Sequence, residues 1–390
     1  YARDFIRRML TLMKRSGYSA TDFNPVLLHW ALVIIPGVLP GVWGGQIPPI
    51  TLPGRHRKLD AYVAAQDIPS GKEFNIFLDV GCGFPPVTAV DTAREFSNWQ
   101  VIGVDRLFTK YVLHDNHGNY ACIDQAGRMQ YFQPGPPGKG QVILGDLDAA
   151  REHFGDLFAE LSHLLPMDAD GQTSETAEKD GNKLIRNHLR DFETDNLTFV
   201  KADLGELEFP PVQVIRCMNV FVYFDPDIRK QMLVQAGNLL AEDGILIVGT
   251  NGIASESRFM VYRKRGDTLL PDEFAFSLDN LGPFSWMPWF SIHADDPDAT
   301  FLADLSRILR ADPLFWPDFS QRLDELLKQF GFCKRGPDGF LDFPEGFTLS
   351  PEFFGKSNQL WQQIKKEDFV TEATRALQRA GCHTWKNPVG

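Results

Sequence analysis

An α/β fold built on a Rossmann-like, mostly parallel sheet is what this sequence predicts, and three observations predict it. From Phe74 onward, short apolar runs of β type alternate with amphipathic helical runs. The first run, Asn75-Ile76-Phe77-Leu78-Asp79-Val80, stops at the glycine turn Gly81-Cys82-Gly83. The second, Gln100–Val104, closes on an acid, Asp105. Strands joined through helices require crossover connections, and these cover both faces of a parallel sheet.

Each element follows in order. The stretch Arg3–Ser16 puts Phe5, Met9, Leu10 and Met13 at helical spacing among basic residues, which reads as an amphipathic helix. Helix Thr88–Phe96 separates the first two strands. Leu197–Lys201 and Val212–Ile215 give the third and fourth, Asp227–Leu240 a helix, and Gly244–Gly249 the fifth. Arg258–Arg263 and Glu273–Leu278 flank a turn at Gly266-Asp267 and form an antiparallel edge. Residues 107–194 are too long for an ordinary connection and carry structure of their own. Within them Tyr120–Gln133 reads as a hairpin turning at Asp124–Gly127, Pro134–Gly140 as a breaker, and Met167–Lys179 as a mobile polar loop. Helices are expected again at Ala299–Arg310, Asp318–Phe330 and Lys366–Ala380. The organisation is thus a helical N-terminal cap (1–73), a core (74–280) with its insertion (107–194), and a mainly helical C-terminal cap (281–390).

Composition narrows the function. Apolar residues make up 43% of the 390, which suits a packed interior. A net charge of −12 argues against a general grip on nucleic-acid phosphates, although Arg55, Arg57 and Lys58 make a small basic patch. Five cysteines (Cys82, Cys122, Cys217, Cys333, Cys382) include no C-x-x-C pair, so neither a disulfide framework nor a zinc site is expected. Reduced thiols and an opening without a secretory signal point to a cytoplasmic setting. The apolar stretch Val26–Trp43 approaches membrane-spanning length, but Pro36 and Pro40 would break it. It reads as a short buried helix and a turn, with contact at a membrane surface as the alternative.

The glycine turn carries the chemistry. Gly81 and Gly83 let the backbone turn sharply and approach a ligand with no Cβ in the way. A dinucleotide fold would place a third glycine at position 86, where this chain has Pro86. Pro85 and Pro86 also remove amide donors from the place where a pyrophosphate is cradled. An adenosyl ligand without phosphates, such as S-adenosyl-L-methionine, needs no such cradle. Asp105 is placed to accept both ribose hydroxyls, and Asp203, ending the third strand, to reach the adenine amino group or else to be no more than a solvated turn residue. Cys82 is either part of the binding loop or a buried inert thiol. His29, His114 and His117 are further candidates for proton handling; H-x-x-H at 114–117, with Gly118 following, reads as an exposed loop, and no metal is expected.

The run Arg216-Cys217-Met218-Asn219-Val220-Phe221-Val222-Tyr223-Phe224-Asp225, with Gly244–Gly249 behind it, resembles the chemotaxis receptor glutamate methyltransferases, whose signature is C-R-N-V-[LI]-I-Y-F-D. More broadly, residues 74–255 resemble the class I S-adenosylmethionine-dependent methyltransferases. The resemblance implies that Asp79, Gly81, Gly83 and Asp105 bind the cofactor. It further implies that Asp203 and Leu204 lie by the adenine, that Asn219 and Val220 line the pocket, and that Tyr223 faces the transferring methyl group. The signature arginine is Met218 here, the family's upstream arginine motif is missing, and residues 1–73 show no receptor-binding helical domain. The donor half of the resemblance therefore transfers and the acceptor half does not. A small-molecule acceptor is expected, in a pocket formed by the 107–194 insertion and both termini, where Phe284, Trp286, Trp289, Phe290 and Trp316 suggest an apolar or aromatic acceptor unless they only pack the cap. A protein side chain is the second choice of acceptor. A non-catalytic scaffold and a dinucleotide oxidoreductase are the rival classes.

Overall fold

A computed structural model describes residues 2–23, 27–28, 31, 53–68, 74–133, 147–167, 171–251, 256–282, 289–293, 296–345, 356, 359–360, 362–364 and 366–382. In chain order they form helix α1 (Ala2–Arg15), α2 (Arg57–Ala64), strand β1 (Asn75–Val80), α3 (Val87–Glu95), β2 (Trp99–Val104), β3 (Tyr111–His114), β4 (Tyr120–Ile123) and β5 (Met129–Gln133). There follow α4 (Leu147–Leu161), β6 (Glu175–Lys179), β7 (Asn182–Arg186), β8 (Leu197–Val200), β9 (Val212–Met218), α5 (Pro226–Leu239), β10 (Leu240–Asn251), β11 (Glu256–Arg265) and β12 (Thr268–Phe276). The chain continues through α6 (Pro297–Ala311), α7 (Trp316–Gln329), β13 (Lys334–Arg335), β14 (Leu341–Asp342) and α8 (Phe369–Arg379).

The main sheet has seven strands in the order β12-β11-β10-β9-β1-β2-β8. β1 pairs in parallel with β2 and β9, and β2 with β8. β9 and β10 also run the same way. A Cβ on Gly244 would meet the Gln213 carbonyl, and further along Asn219 N–H donates to Gly249 O, so both numberings rise together. The expected antiparallel edge is the hairpin β11–β12, with β11 running against β10. β1 is buried from Ile76 to Val80, as a strand covered on both faces must be. This is the Rossmann-like sheet the alternating pattern predicts.

By contact the chain divides into two compact units. One comprises residues 1–34, 217–237 and 245–390, the other 35–216 and 238–244. The limits at 216/217 and 244/245 fall inside β9 and β10.

In the first unit, α1 turns Phe5, Met9 and Met13 inward, each 1% exposed or less, while Leu10 stays at 39%. That is the i, i+4, i+8 stripe of an amphipathic helix. α1 packs against α6, where Arg15 and Asp304 form a two-pronged pair at 2.7 Å. Helix α1, from the start of the chain, thus packs with a helix of its last third inside this unit. Its core gathers Phe274 and Phe276 of β12 with Leu302, Leu309, Phe319, Leu326 and Ala376 from α6, α7 and α8.

In the second unit, the insertion forms a five-stranded sheet, β5-β4-β3-β7-β6, with α4 on one face. Side chains alternate across a strand, so Leu113, Ala121, Ile123, Phe132 and Leu184 meet Ala150, Phe154 and Leu161 of α4. Their neighbours Val112, Cys122 and Tyr131 point the other way, toward Phe84 and Leu107. The hairpin at Tyr120–Gln133 forms as expected. Met167–Lys179 corrects the expected mobile loop: its last five residues are β6, paired with β7. Asp180 and Gly181, at φ 52° and 80°, make the two-residue turn that joins them. Pro134–Gly140 and most of Val26–Trp43 lie outside the described residues.

Candidate functional site

The second unit brings most of the predicted binding residues together at the C-terminal ends of β1 and β2. Gly81 and Gly83 both adopt left-handed backbone, at φ 75° and 67°, a conformation that favours glycine. Gly81 N–H donates to Val104 O (2.7 Å), folding the turn back over β2. Gly83 N–H donates to Asp105 Oδ2, and Leu107 N–H to Asp105 Oδ1, each at 2.9 Å. A carboxylate has about four acceptor positions, so two remain for a ligand. Among the described residues, a Cβ added to Gly83 would meet nothing within 4 Å, so they leave space beside the backbone there. Burial raises the Asp105 carboxyl above its ordinary range, while the Leu107 and Gly83 amides and Arg106 pull it back and Asp203 adds to the rise.

Below the turn, Asp79 is 3% exposed and its two oxygens are engaged within the protein. Arg216 stands beside it in register on β9 and grips it through Nε and Nη2, each at 2.9 Å. Thr88 Oγ1, in the first turn of α3, donates to Asp79 Oδ2 at 2.9 Å. Arg216 is itself fully buried and reaches Asp60 Oδ1 at 2.6 Å and Thr92 Oγ1 at 2.8 Å. Two carboxylates thus share one guanidinium, and burial raises the Asp60 carboxyl to about 6 against the pull of Arg216. Arg216 is the hub that fixes the foot of the turn.

The other predicted residues of this unit have internal partners too. The Cys82 thiol is buried and held well above its usual value, by burial first and then by Asp79 and Asp105; its sulfur packs under Gly103. Asp203 is exposed and caps the short turn Leu204–Glu206, its backbone N–H meeting Glu206 Oε2 at 3.3 Å. Leu204 is buried.

Asn219, Val220 and Tyr223 belong to the first unit. Asn219 takes a left-handed φ of 59°, donates its N–H to Gly249 O (2.8 Å) and accepts Asn251 N–H on Oδ1 (2.9 Å). Val220 begins the 3-10 turn Phe221–Tyr223, and Tyr223 is half-buried with its carbonyl 3.2 Å from His293 Nε2. Of the aromatic residues expected at the acceptor, Trp289 is fully buried and bonded to Ser16 Oγ, Phe290 packs on Phe5, and Trp316 stacks with Arg310. These three serve packing, the bland side of the sequence reading. Phe284, Trp286 and His29 lie outside the described residues.

Sequence reasoning missed four residues of the insertion and its borders. Tyr120 Oη donates to Phe84 O at 2.7 Å, tying the insertion to the residue after Gly83. Phe84 and His188 meet edge to face at 4.4 Å. Burial raises the Tyr131 hydroxyl, and the Asp105 charge raises it further. No local pattern marks these contacts, because each joins distant parts of the chain. His114 sits in β3 with its ring 5.5 Å from Tyr120, and His117 is exposed in the turn organised by Asp115.

No family model matches the chain, and no curated protein does either. Among solved structures, an O-methyltransferase family protein from Burkholderia thailandensis is 12% identical, with a TM-score of 0.22 over 50% of this chain and 37% of its own. An O-methyltransferase family 2 protein from Planctomyces limnophilus, in complex with apigenin, is 16% identical, with a TM-score of 0.23 over 49% and 42%. The magnesium protoporphyrin IX methyltransferase of Synechocystis PCC 6803, with bound S-adenosylhomocysteine, is 13% identical, with a TM-score of 0.23 over 61% and 65%. The chain spans less than half the length of the first two. These superpositions are loose, and the fold is read from this chain's own strand order. No helix among the described residues is long and apolar enough to cross a membrane.

Proposed function

We propose that this chain is an S-adenosylmethionine-dependent methyltransferase of the class I type, acting on a small-molecule acceptor. One observation carries the reading: a glycine turn where, among the described residues, nothing fills the space at Gly83, tied to an acid that closes the second strand and keeps two acceptor positions. A side chain at Gly83 would fill the room a ligand needs. Pro85 and Pro86 lack the N–H groups that a pyrophosphate requires, whereas an adenosyl sulfonium requires none. In this reading Gly81 and Gly83 admit the ligand, Asp105 holds the ribose, and Asp203 with Leu204 borders the adenine. Asp79 acts through Arg216 and Thr88, setting the height of the turn.

When bound, the cofactor supplies an activated methyl group, so the protein's work is alignment and exclusion of water. The Tyr120–Phe84 bond holds the edge of the insertion on the turn and serves both ends. The roles implied for Asn219, Val220 and Tyr223, and for carboxyl methylation of a protein, are carried by the 217–225 run alone.

Asp105→Ala tests the site. Losing two charge-assisted bonds should weaken S-adenosylhomocysteine binding about a hundredfold in calorimetric titration, with the circular dichroism spectrum unchanged. Unaltered affinity in a folded variant would remove Asp105 from the site and the reading with it.

A further inference from the structure

His188 opens the short turn His188–Asp191 after β7 and is 2% exposed. Its Nε2 lies 3.0 Å from Thr109 O. A carbonyl can only accept, so Nε2 carries the proton and Nδ1 is the bare nitrogen of the ring. Among the described residues, buried Nδ1 meets no donor. A buried acceptor of this kind is uncommon and needs a physical reason. Its position supplies one. The imidazole ring meets Phe84, which directly follows Gly83, and Phe84 in turn meets the rings of Tyr120 and Phe192, each at 5.9 Å. Phe84, Tyr120 and Phe192 are half-buried, so this aromatic group begins beside the ligand turn and reaches solvent.

The chemistry of the group defines what fits it. Nδ1 can only accept, so the ligand must bring an O–H or N–H. Charged ligands would lose hydration among apolar rings without a compensating partner. Ring edges and faces favour a flat aromatic body. Burial lowers the His188 imidazole to about 4, the Thr109 carbonyl opposing and the nearby His114 adding to the fall. An imidazole held so low stays neutral and accepts a hydrogen bond, yet is too weak to carry a proton away.

We propose that His188 Nδ1 recognises the hydroxyl of a neutral, phenol-like methyl acceptor whose ring lies among Phe84, Tyr120 and Phe192. This rests on the methyl-donor reading above, and it names the acceptor class and a residue that binds it.

The test uses the whole chain saturated with S-adenosylhomocysteine, with phenol and anisole as probes that differ only in the donor. Phenol should bind at least about tenfold more tightly than anisole, since a buried acceptor penalises a ligand that leaves it unpaired. In protein labelled with 15N-histidine, the Nδ1 resonance of His188 should move on adding phenol and stay in place with anisole. His188→Phe should erase the preference, and His188→Asn, which keeps an acceptor near Nδ1, should retain part of it. Equal binding of the two probes, or an unmoved Nδ1 signal, overturns the inference even if a variant fails to fold, because both are read on the unaltered protein. If S-adenosylhomocysteine binds and the probes are not distinguished, this inference alone falls. If S-adenosylhomocysteine does not bind, the donor reading falls and takes the inference with it.

Discussion

At the scale of single residues, the cluster of Asp60, Asp79 and Arg216 sets the energetics beneath the turn. Burial raises the Asp60 carboxyl to about 6, with the second carboxylate, Asp79, adding to the rise and the shared Arg216 guanidinium opposing it. Its folded value exceeds the ordinary unfolded one of about 3.9. Its contribution to stability is therefore complete below that unfolded value and is lost as pH rises through about 6. Urea unfolding of the native protein and Asp60→Asn should show this. Their difference in stability should shift by about 2 kcal/mol between pH 4.5 and 7, with the native protein gaining on the acid side. A flat difference would show that Arg216 neutralises Asp60 completely. Arg216→Met, which leaves both carboxylates buried without their partner, should cost about 3–5 kcal/mol at pH 7. Gly83 behaves differently because, among the described residues, nothing stands where its Cβ would be. Gly83→Ala should cost about 1 kcal/mol of stability for its left-handed backbone and weaken S-adenosylhomocysteine about tenfold or more. Gly103→Ala is the contrast: its Cβ would lie 2.6 Å from the Phe199 ring, so stability should suffer first. Full affinity in Gly83→Ala would mean that no ligand approaches that backbone.

At the scale of elements, the insertion has its own core around Phe132 and Phe154 and reaches the glycine turn through Tyr120. Tyr120→Phe removes only the bond to Phe84 O. It should lower stability by about 1 kcal/mol and weaken S-adenosylhomocysteine a few-fold, read by chemical denaturation and calorimetry on the same sample. A stability loss with unchanged affinity would confine Tyr120 to structure. The elements were legible wherever the apolar period was unbroken: β1, β2, α1 and the Tyr120–Gln133 hairpin stand where their patterns put them. β6 was misread because Thr176, Glu178 and Lys179 make a polar run on a sheet edge. The Asp180-Gly181 pair, a strong hairpin signal, carried the missing information. At the turn, Gly81, Gly83 and Asp105 were legible because strand ends and glycines leave a local mark. Asp60 left a fainter one, an acid beside Leu59 and Val63 on the buried face of α2. His188 and Phe192 left none, since their surroundings arise only when the insertion's strands pair across more than sixty residues.

At the scale of the whole molecule, the rival ligand is a dinucleotide, and the chain opposes it in two ways. Locally, Pro85 and Pro86 withhold amide donors and Pro86 occupies the place of a third glycine. Globally, a net charge of −12 disfavours the approach of a pyrophosphate, while a sulfonium ligand that bears a positive charge meets no such repulsion. Ligand binding to the folded state alone stabilises it by about 2.7 kcal/mol at a hundredfold excess over Kd. For a chain of this length that raises the melting temperature by about 3 °C. S-adenosylhomocysteine should therefore produce a shift of that size in differential scanning calorimetry, and NAD at the same concentration should produce none. Raising the salt concentration should leave the S-adenosylhomocysteine shift nearly unchanged, because its recognition rests on hydrogen bonds at Asp105 and on space at Gly83 instead of on long-range attraction. A shift with NAD and none with S-adenosylhomocysteine would select the oxidoreductase, and it would mean that the two prolines present their carbonyls and rings to a phosphate chain, an arrangement with no donor to hold it.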